Sequence, residues 1–344
     1  AFITEDHHVY TYADLLGLSE RFSEHLVPRS LIFIGCENSL ESIVAYVSCL
    51  RSGVVPLLLS RDVPDETLYH LEAIYHPRYC WFPSRRDLLV KGKEKYSLGG
   101  YSLIQYDGDS PVLPEGLALL LTTSGSTGSP KLVRLSHDNL KSNACSIIEY
   151  LKITSSEKAI TSLPMYYSYG LSVLNSHLLA GATLLLTDKS YVQREFWKFV
   201  LEEKATSFAG VPFTYEILKK MRFEKFLPSS VKVMTQAGGK LNSSLIKYFS
   251  EYARLHDIRF YVMYGQTEAT ARMSYLPAEY TLNKVGSVGV AIPGGHFSLI
   301  DEDGMRIVSP NVEGELVHEG SNVFWGYAES LDDLFKGDEN KGIL

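Results

Sequence analysis

Apolar positions along the chain fall into two alternating rhythms. Leu31-Ile32-Phe33-Ile34-Gly35 is an unbroken apolar run of strand length, and residues 39–51 then carry apolar side chains at helical spacing, stopping at Gly53. Residues 54–59 predict the next strand, 64–75 a second helix and 79–82 a third strand. This β-α-β-α-β order predicts a parallel sheet with helices packed on it. The alternation resumes later, with strands predicted at 117–122, 159–163, 182–187, 206–209, 231–235 and 260–263 and helices at 140–151 and 191–204. Beyond Tyr264 glycine and proline punctuate short alternating runs (285–290, 297–300, 314–317), which predicts a small antiparallel or barrel-like piece. The fold class expected is therefore α/β, with two wound β-sheets packed with helices plus a small distorted β-barrel-like subdomain. Residues 84–114, rich in Lys, Gly, Asp and Pro, carry the least pattern and predict a long surface connection.

Composition narrows the class without naming it. A chain of 344 residues can bury a large core, which excludes disulfide-stapled miniproteins and disordered segments. Lys and Arg number 33 against 40 Asp and Glu, a net charge of −7 with no long basic run, so no nucleic-acid partner is expected. No apolar stretch approaches the length of a membrane span and the first residues show no signal pattern, so a cytoplasmic location is expected. Cys36, Cys49, Cys80 and Cys145 are widely spaced and read as reduced thiols, while His7 and His8 lack companions at metal-ligand spacing.

Chemistry concentrates first in Thr122-Thr123-Ser124-Gly125-Ser126-Thr127-Gly128-Ser129-Pro130-Lys131. A strand runs into a turn of hydroxyl residues and glycines, then into a lysine and another apolar run. Glycines let backbone N–H groups approach a ligand, hydroxyls add donors and Lys131 adds charge, a set suited to a polyphosphate. The Walker-type spacing is absent, and Pro130 leads into a strand-like run with the next helix starting near residues 136–139, so a helix dipole is not the main attraction. A flexible linker has the same composition, although a linker between two apolar strands is unusual. A second stretch, Tyr264-Gly265-Gln266-Thr267-Glu268, follows the apolar run 260–263. There a tyrosine can face a base at a strand's carboxyl edge, with a hydroxyl and a hard oxygen beside it. It also reads as a plain turn entering a helix.

These two stretches together resemble the signatures of the adenylate-forming superfamily of acyl-CoA synthetases, peptide-synthetase adenylation domains and luciferases. Ala237-Gly238-Gly239-Lys240-Leu241 is similar to the family's adenine-edge segment. Gly286-Ser287-Val288-Gly289 with Pro293-Gly294, and Gly314-Glu315-Leu316 with Gly326-Tyr327, resemble the segments that lead to the end of its large domain. The resemblance implies that Thr123, Ser124, Gly125, Ser126, Thr127, Gly128 and Lys131 hold the β- and γ-phosphates of ATP. It also implies that Thr267 holds the α-phosphate, that Glu268 holds Mg2+, and that Gly238, Gly239, Tyr264, Gly265 and Gln266 surround the nucleotide. Lys131, Thr267 and Glu268 would then carry catalysis.

The family reaction joins a carboxylate to the α-phosphorus of ATP, releases pyrophosphate, and passes the acyl group to a thiol. Such an acid, with a pKa near ~4, is already ionised at neutral pH, so positioning and charge neutralisation rather than a general base must supply the rate. By resemblance the acid pocket lies around Tyr166, Tyr167 and Gly170, with Tyr167 where many members carry His. Gly170 stands where amino-acid-activating members carry Asp, which favours a plain organic or fatty acid. Val211, before Pro212-Phe213, resembles another pocket wall, and the same residues read equally as a helix start with core packing. The tyrosines near Tyr166 are either core or aromatic walls for an acyl group.

A Thr-Gly-Asp ribose motif, a hinge and a small lysine-bearing domain complete the family pattern and are not found here, since Lys336-Gly337-Asp338 lacks the Thr. Residues 1–344 are expected to be the large N-terminal AMP-binding domain alone, weakly active or inactive by itself. The activity implied is that of an acid–thiol ligase forming an acyl-CoA, with ATP, Mg2+ and CoA or a phosphopantetheine thiol. The alternatives are an acyl-AMP ligase loading a carrier protein and a non-catalytic nucleotide-binding module.

Overall fold

The computed structural model describes residues 1–84, 92–122 and 131–344. Among these residues the strands form three sheets. The first runs in the order Gly326–Ala328, Leu132–Ser136, Leu117–Thr122, Val55–Ser60, Leu31–Cys36, Tyr79–Pro83, Tyr101–Tyr106, Gly92–Leu98. Its centre is parallel, with Leu31–Cys36 flanked by Val55–Ser60 and Tyr79–Pro83, and its margins are antiparallel. The run 31–36 is buried throughout because helices cover both faces, which is why it reads as a solid apolar block and not as an alternation.

The second sheet runs Val290–Ala291, Ser274–Leu276, Arg259–Tyr264, Val233–Gln236, Ser207–Gly210, Lys158–Ile160, Thr183–Leu185, Phe2–Ile3, Val9–Tyr10. Lys158–Ile160, Ser207–Gly210, Val233–Gln236 and Arg259–Tyr264 lie parallel, so their carboxyl ends open on one edge. One apolar core joins the two sheets, with Ile34, Leu58 and Val133 of the first packed in the same cluster as Leu171, Leu174 and Leu184. Helix His137–Leu151 begins where the sequence predicts, with Ser136 and Asn139 forming a reciprocal capping box.

The third sheet is Arg306–Ile307, Gly295–Ile300, Glu315–Gly320, all antiparallel. This is the small barrel-like piece expected after Tyr264, and it does not close into a barrel among the described residues. Two expectations change. Within 84–114 the chain forms an antiparallel hairpin, Gly92–Leu98 with Tyr101–Tyr106, that extends the first sheet. Its outer strand escaped the pattern because Lys93, Glu94 and Lys95 on a sheet margin are exposed and carry no apolar alternation. Residues 285–289 form no strand, 285 and 286 being turn and 287–289 irregular, with Gly286 (φ 88°) and Gly289 (φ 85°) in left-handed conformations that favour glycine.

Candidate active site

Lys131 enters the strand Leu132–Ser136 on the first sheet, and Tyr264-Gly265-Gln266-Thr267-Glu268 leaves the strand Arg259–Tyr264 on the second. They meet through Tyr327. The Lys131 ammonium lies 5.6 Å from the centroid of the Tyr327 ring and 2.8 Å from Glu329 Oε1. The Tyr327 hydroxyl donates to Glu268 Oε1 at 2.8 Å. Burial, and then the Glu268 carboxylate, push the Tyr327 phenol up to about 12, so it remains a donor throughout the physiological range.

The turn Thr267–Ala269 is a single 3-10 turn, not the start of a longer helix, and the segment 322–324 pins it. Phe324 N–H donates to the Glu268 carbonyl at 2.8 Å, and Asn322 Nδ2 donates to the carbonyls of Ala269 and Arg272 at 2.9 Å each. Thr267 Oγ1 donates to Ser168 Oγ at 3.2 Å, which ties the turn to the first residue of helix Ser168–Leu179. One residue earlier stands Tyr167. Its hydroxyl is 2.5 Å from where a Cβ would sit on Gly238, and Val211 Cγ1 is 3.2 Å from the same point. Gly238 (φ 79°) is thus the residue that lets the 236–239 turn lie against Tyr167. Gln236 Nε2 closes that turn on the Gly239 carbonyl at 2.8 Å.

Tyr264 is exposed at the rim, with Gly265 and Gln266 beside it. Val211 precedes a helix, Pro212–Met221, with Pro212 at its first position and Phe213 pointing out to solvent, so the core-packing alternative for Phe213 does not hold. Gly170 lines a small cavity under helix Ser168–Leu179, and a Cβ there would fall 2.2 Å from the Pro164 carbonyl oxygen, which leaves no room for an aspartate. Tyr166 instead borders a cleft of about 460 Å3 that adjoins this cavity at Asn38, Thr161 and Ser162, with Glu37, Arg61 and Asp188 in its walls. Thr123, Ser124, Gly125, Ser126, Thr127 and Gly128 lie outside the described residues.

Tyr327, Glu329 and Ser168 carried no assigned role in the sequence reading. Gly326-Tyr327 was visible as a motif, yet nothing local shows that its hydroxyl meets a carboxylate 59 positions earlier. Among the described residues no group of three or more His, Cys, Asp or Glu side chains could hold a metal ion, and no helix is long and apolar enough to cross a membrane.

Two wound sheets, with a lysine before a marginal strand of one and a Thr-Glu turn leaving a strand of the other, define an α/β protein whose candidate site lies where the two meet. The AMP-binding enzyme family matches residues 1–328, and the chain belongs to that family. It is 31% identical over 303 residues to a 2-succinylbenzoate–CoA ligase of Bacillus cereus, covering 86% of this chain and 60% of that protein. It is 26% identical over 353 residues to an indoleacetate–CoA ligase of Aromatoleum aromaticum, covering 93% and 67%. Among solved structures, o-succinylbenzoate CoA synthetase from Bacillus subtilis in complex with its acyl-adenylate intermediate superposes with a TM-score of 0.79 at 22% identity, covering the whole chain and 71% of that protein. The N-terminal domain of FACL13 from Mycobacterium tuberculosis gives 0.81 at 18% identity, covering 100% and 90%. The chain spans about 60% or less of the length of several such relatives.

Proposed function

We propose that residues 1–344 are the nucleotide- and acid-binding domain of an ATP-dependent, AMP-forming acid–thiol ligase. The observation that carries this reading is the Lys131–Tyr327–Glu268 chain, which sets the cation at the end of the glycine and hydroxyl loop beside the Thr267-Glu268 turn. The loop 123–128 with Lys131 takes the β- and γ-phosphates, and Thr267 the α-phosphate. Tyr264, Gly265 and Gln266 with Gly238 and Gly239 surround the adenosine. The acid enters between Tyr167, Gly170 and Val211, with its carboxylate toward Thr267. That carboxylate attacks the α-phosphorus, pyrophosphate leaves, and a thiol displaces AMP from the acyl-adenylate.

Glu268 suits Mg2+ because, among the described residues, it belongs to no cage of three or more metal-ligating side chains. That donor set fits an ion which keeps its waters and takes its other ligands from phosphate. When bound, the ion neutralises charge on the triphosphate. Glu268 supplies the oxygen not taken by Tyr327, and Lys131 must exchange Glu329 for phosphate.

CoA is the acceptor favoured here, supported by the CoA ligase names of the relatives. A cytoplasmic setting accords with four unpaired cysteines, three of them buried. Acid-dependent exchange of labelled pyrophosphate into ATP by the full-length protein tests adenylation, and no exchange across a broad acid panel refutes it. Acyl transfer to a phosphopantetheinyl carrier but not to free CoA would replace the acceptor.

A further inference from the structure

One charged group near the site keeps two of its N–H nitrogens without a partner among the described residues. Arg272 follows the Thr267–Ala269 turn and is only 2% exposed. Its guanidinium carbon lies 4.0 Å from the centroid of the Tyr169 ring and borders the Tyr150 hydroxyl. Among the described residues neither Nε nor Nη1 has a hydrogen-bond partner. Burying a cation with two N–H nitrogens unbonded carries a large desolvation cost that the Tyr150 and Tyr169 contacts offset only in part. Retaining such a group points to a ligand.

Space for that ligand is present. Arg272 lines an enclosed cavity with Val173, Ser176, His177, Ala209 and Thr235. The water-sized space inside, about 30 Å3, takes roughly two waters or one small acid group. Several of the cavity's other polar groups are engaged. Thr235 Oγ1 pairs with the Tyr169 hydroxyl at 2.8 Å, Ser176 Oγ and His177 Nδ1 both reach the Val173 carbonyl, and Glu157, the carboxylate in the lining, accepts from the Thr206 hydroxyl. Ile160, Val173 and Ala209 border both this cavity and the one that Gly170 lines, so it lies next to the place proposed for the acid.

We propose that Arg272 forms a buried subsite for a second carboxylate at the far end of the substrate acid, which makes the preferred substrate a dicarboxylic acid. The proposal rests on the adenylation reading and narrows its plain organic or fatty acid to a diacid. A guanidinium held over Tyr169 with Nε and Nη1 free has charged N–H donors left to give to a carboxylate oxygen.

The test compares dicarboxylic acids with monocarboxylic acids of equal chain length in pyrophosphate exchange by the full-length protein, wild type and Arg272→Leu. The expected result is a preference for one diacid of at least tenfold in kcat/KM, carried mainly by KM, that falls to near one in Arg272→Leu. Arg272→Lys, which keeps the charge and loses the fork, retains part of it and covers the case in which the leucine variant fails to fold. Equal use of mono- and diacids by the wild type, or a preference that survives Arg272→Leu, overturns the proposal while leaving adenylation standing. Should no acid support exchange, thermal melting with each diacid and its chain-length match decides separately. A rise in Tm with a diacid in the wild type and not in Arg272→Leu supports the subsite, and no rise refutes it.

Discussion

Replacing Tyr327 by Phe isolates the contact on which the assembled site depends. The variant keeps the ring beneath Lys131 and its edge contact with Phe324, whose centroid is 4.8 Å away, and deletes only the 2.8 Å bond to Glu268. A hydrogen bond to a charged group is worth about 1.5–3 kcal/mol when well buried. Tyr327 is 39% exposed, so water replaces part of the loss and about 1 kcal/mol is the better figure. A change of that size is roughly fivefold in a rate or binding constant. The expected phenotype is therefore a rightward shift, about fivefold, in the Mg2+ dependence of pyrophosphate exchange by the full-length protein, with little change in Tm. The double variant with Glu268→Gln should lose scarcely more than Glu268→Gln alone, because both remove the same arrangement. A wild-type Mg2+ profile in Tyr327→Phe, or fully additive losses in the pair, would refute the view that the phenol positions the carboxylate.

Three further outcomes follow from the geometry. Glu268→Gln should lower Mg2+-dependent exchange by at least tenfold while leaving the melting temperature within a few degrees, and unchanged turnover contradicts its role. Gly238→Ala places a Cβ 2.5 Å from the Tyr167 hydroxyl at a left-handed φ, which costs about 1–2 kcal/mol from the backbone alone. Denaturant unfolding should show that loss, and adding Tyr167→Phe should recover part of it; no recovery would mean that the hydroxyl contact is unimportant. Asp188 is pushed up to about 6, first by burial and then by Glu37. Its raised pKa means that the stabilising preference for the neutral form is complete below about pH 3.8 and is lost as pH rises through 6. Asp188→Asn should accordingly raise Tm at pH 7–8, by an amount equivalent to about 1 kcal/mol or less given its solvent contact, and change nothing near pH 4. An equal shift at both pH values would remove titration as the cause.

The parallel centres of both sheets were legible because their strands are buried on two faces and their helices announce themselves with caps such as Ser136 and stops such as Gly53. The hairpin 92–106 was not, since a polar outer strand contributes paired backbone and few apolar side chains. Local chemistry was legible where it forms a motif, as in Thr267-Glu268 and Lys131. What sequence could not give was which motif residues touch. Tyr327 reaching Glu268, Tyr167 against Gly238, and Arg272 over Tyr169 are all products of chain segments more than fifty residues apart, and no periodicity encodes them.

The segment 322–328 explains how two sheets can hold one site. Its end, Gly326–Ala328, pairs antiparallel with Leu132–Ser136 on the first sheet, and buried Arg134 fastens it further by donating to the carbonyls of Trp325 and Tyr327 and pairing with Glu339. Its start, through Asn322 and Phe324, is bonded to the 268–272 loop of the second sheet. Lys131 and Glu268 therefore do not depend on each other for their spacing; both are referenced to this strap, and Tyr327 is the side chain it presents between them. Because the strap is held mainly through backbone groups and Asn322, its register tolerates changes at the ligand-facing positions. Side chains at Tyr167 and Arg272 can then vary without moving the lysine and the glutamate apart, which is the physical basis for treating the proposed nucleotide half of the site and the proposed acid half as separately adjustable.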